Sequence, residues 1–172
     1  PGAADPDRPA DGVMETLAQL FILTLAAGTP LVFAALGELV TEKSGVLNLG
    51  VEGMMLVGAV VAFMVASMSG SPWLGIAAGR AAGAATSLIF GAIALSLMAN
   101  QVAAGLALSL FGVGLSAFVG LDYVSVVIAG ITPLAIPGLS DLPVVGQLLF
   151  GHNPLVYLSF ALFAAVQWFL FR

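Results

Sequence analysis

The chain has 172 residues, 60% hydrophobic and only 8% charged, with a mean hydropathy of +1.14 and a formal net charge of −5. Four Lys or Arg in all leave no basic surface for nucleic acid, and the absence of cysteine excludes disulfides, thiolate metal sites and thiol nucleophiles. So much apolar surface cannot be hidden inside a water-soluble ball, and the expected class is an all-α, polytopic transmembrane helical bundle.

Asp5, Asp7, Arg8, Asp11 and Glu15 crowd the N-terminal end, among Pro, Gly and Ala. Residues 1–13 offer nothing to bury and are expected to be a flexible tail, non-native if Met14 is the natural start. An acidic, proline-containing N-terminus is not a signal peptide, and a single h-region would not explain apolar stretches that recur along the chain. Charge-free runs separate Glu52 from Arg80 and Arg80 from Asp122. They exceed the ~20 residues needed to cross ~30 Å of hydrocarbon.

Hydropathy predicts about five spans, at residues 15–37, 48–68, 73–99, 102–120 and 154–171. Residues 39–47 carry Thr41, Glu42, Lys43, Ser44 and Gly45 and read as a polar turn. Ser69, Gly70, Ser71 and Pro72 read as a tight break, with proline at the start of the next helix. Asn100 and Gln101 form a very short polar hinge. Residues 121–153, broken by Pro133, Pro137 and Pro143, read as one long apolar loop against the bilayer or the bundle, with a short helix at 144–150. With Lys43 and Arg172 on the cytoplasmic side, the N-terminus and this loop lie outside; Arg8 and Arg80 run against that orientation.

The third span carries Gly75, Gly79, Gly83, Ser87 and Gly91 at intervals of four. The fourth repeats the pattern with Ala104, Gly112, Ser116 and Gly120, interrupted by Leu108. Small residues on one face let helix backbones approach where lipid removes the hydrophobic drive for association. Such faces argue for a bundle; a substrate-lining role is the second reading.

The most unusual stretch runs from Gly37 to Gly58. It places Asn48, Glu52 and the glycines Gly45, Gly50, Gly53 and Gly58 where the second span begins, and predicts an interrupted helix. Broken helices at membrane depth expose backbone groups that only protein or water can satisfy, which is how many transporters build a polar path. Asn48 and Glu52, four apart, would share a helix face. A carboxylate at the bilayer centre costs roughly 2.5 to 3.5 kcal/mol, so Glu52 is expected to face a partner, a cavity or the interface. A purely structural role, reaching headgroup water or a helix N-terminus, is equally open.

The stretch Ala35-Leu-Gly-Glu-Leu-Val-Thr-Glu-Lys-Ser-Gly-Val-Leu-Asn-Leu-Gly-Val-Glu-Gly-Met-Met55 resembles the N-terminal signature of permease subunits of the ABC importer family serving branched-chain amino acids, ribose-type sugars and nucleosides. It is closest to the nucleoside or simple-sugar branch. Met98-Ala-Asn-Gln-Val-Ala-Ala-Gly-Leu-Ala-Leu-Ser-Leu-Phe-Gly112 is similar to the family's join between third and fourth spans, and Pro133-Leu-Ala-Ile-Pro-Gly138 resembles its outer loop.

The resemblance covers residues 14–172 and implies the N-terminal part of a larger multi-pass permease of the bacterial inner membrane, working by alternating access. It also implies a second related permease subunit, cytoplasmic ATPase subunits and an extracytoplasmic substrate-binding lipoprotein as partners, with no cofactor or metal in this chain. The residues agree, since there is no Gly-x-x-x-x-Gly-Lys-Ser/Thr phosphate loop and the one lysine is Lys43. The family's ATPase-contacting segment and later spans lie beyond the equivalent of Arg172, so this stretch alone is not expected to transport. Arg80 departs from the family's small or apolar residue, and is expected to snorkel toward the outer interface. The expected substrate pathway is Asn48, Gly50, Glu52 and Gly53, with Asn100 and Gln101 guarding the hinge; their side chains suit a ligand rich in hydroxyls.

Rival readings are a branched-chain amino acid permease, a stand-alone channel or secondary carrier, and a membrane enzyme. The last rests on Asp122 and Asp141, which nothing in the sequence aims at each other. Ser109 and Ser116 lack a basic partner and read as packing residues, and the lone His152 as an interface residue. Trp73, Tyr123, Tyr157 and Trp168 fall near span ends, as an aromatic belt would.

Overall fold

The computed structural model describes residues 9–132 and 152–172. Helix α1 runs Pro9–Lys43, α2 Val51–Ser69 and α3 Pro72–Gly91, the last continuing as a π-helical turn, Ala92–Ser96. Helix α4 runs Gln101–Gly120 with a short 3-10 turn, Leu121–Tyr123, and α5 runs Pro154–Phe171. Among the described residues, five helices are long and apolar enough to cross a membrane. Leu23, Leu31, Leu88, Leu110 and Phe118 stand outward. Large apolar side chains on the outside are stable where the solvent is hydrocarbon, and the chain is a multi-pass membrane protein.

Several boundaries differ from the sequence expectation. Helix α1 begins at Pro9, inside the segment expected to be a tail, and ends six residues past Gly37. Thr41, Glu42 and Lys43 thus form its last turn instead of a loop. The hydroxyl of Thr41 donates to the Glu38 carbonyl (2.8 Å) and that of Ser44 to the Val40 carbonyl (2.9 Å), so these polar residues bond back onto the helix they close. The turn follows at Gly45, whose φ of 81° suits glycine. The short helix expected at 144–150 and the prolines of the outer loop lie outside the described residues.

The chain divides into two compact units, residues 1–36 with 132–172, and residues 37–131. In the first, α1 and α5 border an apolar cleft of about 350 Å³ lined by Thr24, Thr29, Val32, Val156, Ser159 and Phe163. The hydroxyls of Thr29 and Ser159 donate to the Leu25 and Val156 carbonyls of their own helices (2.8 and 2.7 Å), which satisfies them without a neighbour. Buried His152 precedes α5, its backbone N–H 3.4 Å from the Tyr157 hydroxyl.

In the second unit, α2 and α3 form an antiparallel hairpin. Its turn is closed by Gly70 in the left-handed region (φ 68°), whose N–H donates to the Ala66 carbonyl at 2.9 Å, and Pro72 opens α3. A Cβ on Gly79 would stand 2.7 Å from the Gly58 carbonyl, and one on Gly75 2.5 Å from the Ala62 carbonyl, so this seam exists because these residues have no side chain. Gly83 and Gly91 of the same stripe would meet nothing within 4 Å. Arg80 is on an exposed face of α3. A small core of Met54, Phe90 and Ala94, backed by Val46, Ala104 and Leu108, joins the three helices. Phe63 and Tyr123 meet edge to face with ring centroids 6.2 Å apart.

Helices α2 and α4 run parallel but are not level. Gly53, at the third position of α2, packs on Leu108 and Ser109. Gly50, which precedes α2, meets Gly105, four residues past Gln101, so α2 begins about 6 Å along α4. The second span is therefore interrupted, but at its start. Residues 44–50 are non-helical, while α2 itself is continuous through Gly53 and Gly58. Those two glycines serve close packing and do not break the helix.

Candidate functional site

The non-helical segment between α1 and α2 has lost the backbone pairing a helix supplies, and its polar groups need other partners. Side chains provide them. The Leu47 N–H donates to Gln101 Oε1 (2.8 Å), the Asn48 N–H to Glu38 Oε1 (3.3 Å) and the Gly50 N–H to Asn48 Oδ1 (2.9 Å); the Leu49 carbonyl accepts from Ser109 Oγ (2.8 Å). Each residue from 47 to 50 thus has one backbone group held by a side chain. Asn48 is 6% exposed, and its Nδ2 lies 3.7 Å from Met54 Sδ.

Helix α4 supplies the wall. Gln101, Gly105 and Ser109 recur at intervals of four and share a face. A Cβ on Gly105 would come within 2.8 Å of the Leu49 nitrogen and 2.9 Å of the Gly50 nitrogen. The segment therefore lies against bare helix backbone there. Asn100 caps α4, its Oδ1 accepting from the Ala103 N–H at 3.1 Å.

Of the six expected pathway residues, Asn48, Gly50, Gly53 and Gln101 come together on this face of α4. Asn100 does not, being occupied as a helix cap. Glu52 does not share a face with Asn48, because Asn48 precedes the helix; Glu52 sits exposed in the first turn of α2. There the positive end of the helix dipole favours its carboxylate. The N–H groups of Val51, Glu52 and Gly53 have no carbonyl four residues back within the helix, and among the described residues none has another partner. The result is a start to α2 that offers backbone donors beside one carboxylate.

Glu38, Gly105 and Ser109 were missed as site residues. Glu38 reads in the sequence as the edge of a polar turn, and its meeting with Asn48 needs the chain to fold back on itself. The face of α4 that meets the segment runs Gln101, Gly105, Ser109 and Gly112, beside the fourth-span stripe, whose Ala104 and Leu108 pack against the core of Met54, Phe90 and Ala94. Only Gly112 belongs to both.

Comparison with known proteins agrees with this architecture. The chain is 41% identical to a putative glucose ABC transporter permease of Haloferax volcanii, 31% to a guanosine ABC transporter permease of Bacillus subtilis and 29% to a nucleoside ABC transporter permease of Lactococcus lactis; each match covers 92% of this chain. The chain spans about half the length of these curated relatives, 50% of the first and 53% of the other two. No solved structure matches it. Residues 20–172 match the family model described as the permease component of branched-chain amino acid transport systems, and the chain belongs to that family.

Proposed function

We propose that this chain is part of a membrane-spanning permease subunit of an ATP-driven importer of the bacterial inner membrane, moving nucleosides or simple sugars by alternating access. The observation that carries the reading is the non-helical segment 44–50, held by the side chains of Gln101 and Ser109 on α4 and Glu38 on α1. A stretch without helical pairing, its backbone held by side chains, is how transporters build a polar path through a bundle. The path is formed by Asn48, Gly50, Glu52, Gly53 and Gln101, with Asn100 fixing the start of α4 beside them. Asn, Gln and Glu side chains, together with the free N–H groups at the start of α2, hydrogen-bond the hydroxyls and ring nitrogens of such a solute. The sugar and nucleoside permeases among the relatives support that substrate class over branched-chain amino acids.

ATP hydrolysis belongs to cytoplasmic ATPase subunits, since this chain has no phosphate loop. A second related permease completes the path, and an extracytoplasmic binding lipoprotein delivers the solute. ATP binding shifts the bundle between inward-open and outward-open states.

The test is uptake of labelled nucleosides, ribose-type sugars and leucine by cells carrying the full-length permease with its partner subunits. ATPase-dependent uptake of a nucleoside or sugar is the expected result. Uptake of leucine alone overturns the substrate class, and transport that survives loss of the ATPase overturns the importer reading.

A further inference from the structure

Glu38 lies inside the Ala35–Met55 stretch but is not one of the expected pathway residues. It is half-buried on α1, five residues before the helix ends. Its Oε1 accepts the N–H of Asn48, ten residues on, at 3.3 Å; its Oε2 lies 3.5 Å from Thr41 Oγ1. That hydroxyl has one proton and makes its shorter bond, 2.8 Å, to the Glu38 carbonyl, so its hold on the carboxylate is weak.

The ties on residues 47–50 come from two sides. Gln101 and Ser109 hold Leu47 and Leu49 from α4, and Glu38 holds Asn48 from α1. Among the described residues no other side chain of α1 bonds this segment. The Asn48 amide then passes the constraint on, through Oδ1 to the Gly50 N–H and through Nδ2 to Met54 Sδ, at the N-cap and first turn of α2. Glu38 therefore acts on the start of α2 through Asn48.

We propose that Glu38 is the positioning residue of this path: as a hydrogen-bond acceptor it fixes the Asn48 backbone and, through it, the start of α2. The proposal rests on the permease reading above. What Glu38 contributes is an acceptor oxygen at the right place, so glutamine replaces it and alanine does not.

The experiment uses a cysteine-free full-length permease with its partner subunits, carrying Glu38→Gln or Glu38→Ala. Glu38→Ala lowers the maximal uptake rate at least fivefold, with half-saturation within twofold and equal protein in the membrane; Glu38→Gln stays within twofold of the parent. Normal uptake by Glu38→Ala overturns the proposal. So does an equal loss in Glu38→Gln, which would make charge and not the acceptor the active feature.

A second readout is independent of transport. Leu49 is partly exposed and this chain has no native cysteine, so Leu49→Cys reports on the segment alone. Its labelling by a membrane-impermeant maleimide rises several-fold with Glu38→Ala and not with Glu38→Gln. Unchanged labelling overturns the tie whatever the uptake. If labelling responds while the parent complex moves no solute, the permease reading fails and the tie stands.

Discussion

Gly53 on α2 and Gly112 on α4 meet backbone to backbone: a Cβ built on Gly112 would collide with the Cα, carbonyl carbon and oxygen of Gly53. The parallel α2–α4 pair is therefore held at a distance only glycine permits. Adding a methyl at Gly112 is expected to lower the stability of the full-length protein by about 1 to 3 kcal/mol, as overpacking does. Gly83→Ala, where a Cβ meets nothing, is expected to be neutral or stabilising by up to about 1 kcal/mol. Thermal unfolding in detergent would check both, and equal losses at the two positions would contradict the packing described.

Two backbone positions predict opposite signs. Gly45 has φ 81° and Met98 φ 56°, yet only one of them is glycine. Met98→Gly should raise stability by roughly 1 kcal/mol by removing the cost of a side chain in the left-handed region, and Gly45→Ala should lower it by a similar amount. A shared sign in thermal unfolding would mean that neither conformation persists in the membrane.

Ser109→Ala removes the hydroxyl that holds the Leu49 carbonyl. The expected cost is about 0.5 to 1.5 kcal/mol, with slower uptake and faster labelling of Leu49→Cys. Slower uptake without a labelling change would locate the effect elsewhere on α4.

Glu52 separates function from folding. It is exposed and makes no hydrogen bond or ion pair among the described residues, so Glu52→Ala is expected to leave unfolding close to that of the parent while reducing uptake several-fold. Asn48→Ala, by contrast, should lower both, because its buried amide holds the Gly50 N–H just ahead of α2. Unimpaired uptake in Glu52→Ala would remove that residue from the path.

The five spans were legible because a bilayer imposes a length and a composition that survive without any knowledge of packing. Their ends were less so, since a polar turn such as Thr41 to Lys43 remains helical by bonding back on itself. Asn48, Gly50 and Gly53 stood out together, because glycine beside amide is rare at the start of an apolar run, whereas Gln101 was read apart from them as a hinge residue. Glu38 was not legible, for its partner is chosen by a reversal of the chain at Gly45. The second packed face of α4 was missed for a similar reason: Ala104 and Gly105 are both small, and only the neighbouring segment shows that Gly105 faces it. The π-helical turn of Ala92–Ser96 has no counterpart in local composition at all.

That turn has a consequence for length variation. Its bond from the Leu97 N–H to the Ala92 carbonyl (3.0 Å) encloses one residue more than an α-helical turn does. Deleting one residue between 92 and 96 would relax it to an ordinary turn and leave the upstream phase of α3 untouched. The same deletion between Gly79 and Phe90 would rotate everything after it by about 100° and move Phe90 off Met54. Single-residue gaps among relatives should therefore collect at this one place in the helix, as slack in a rope gathers at its loosest coil.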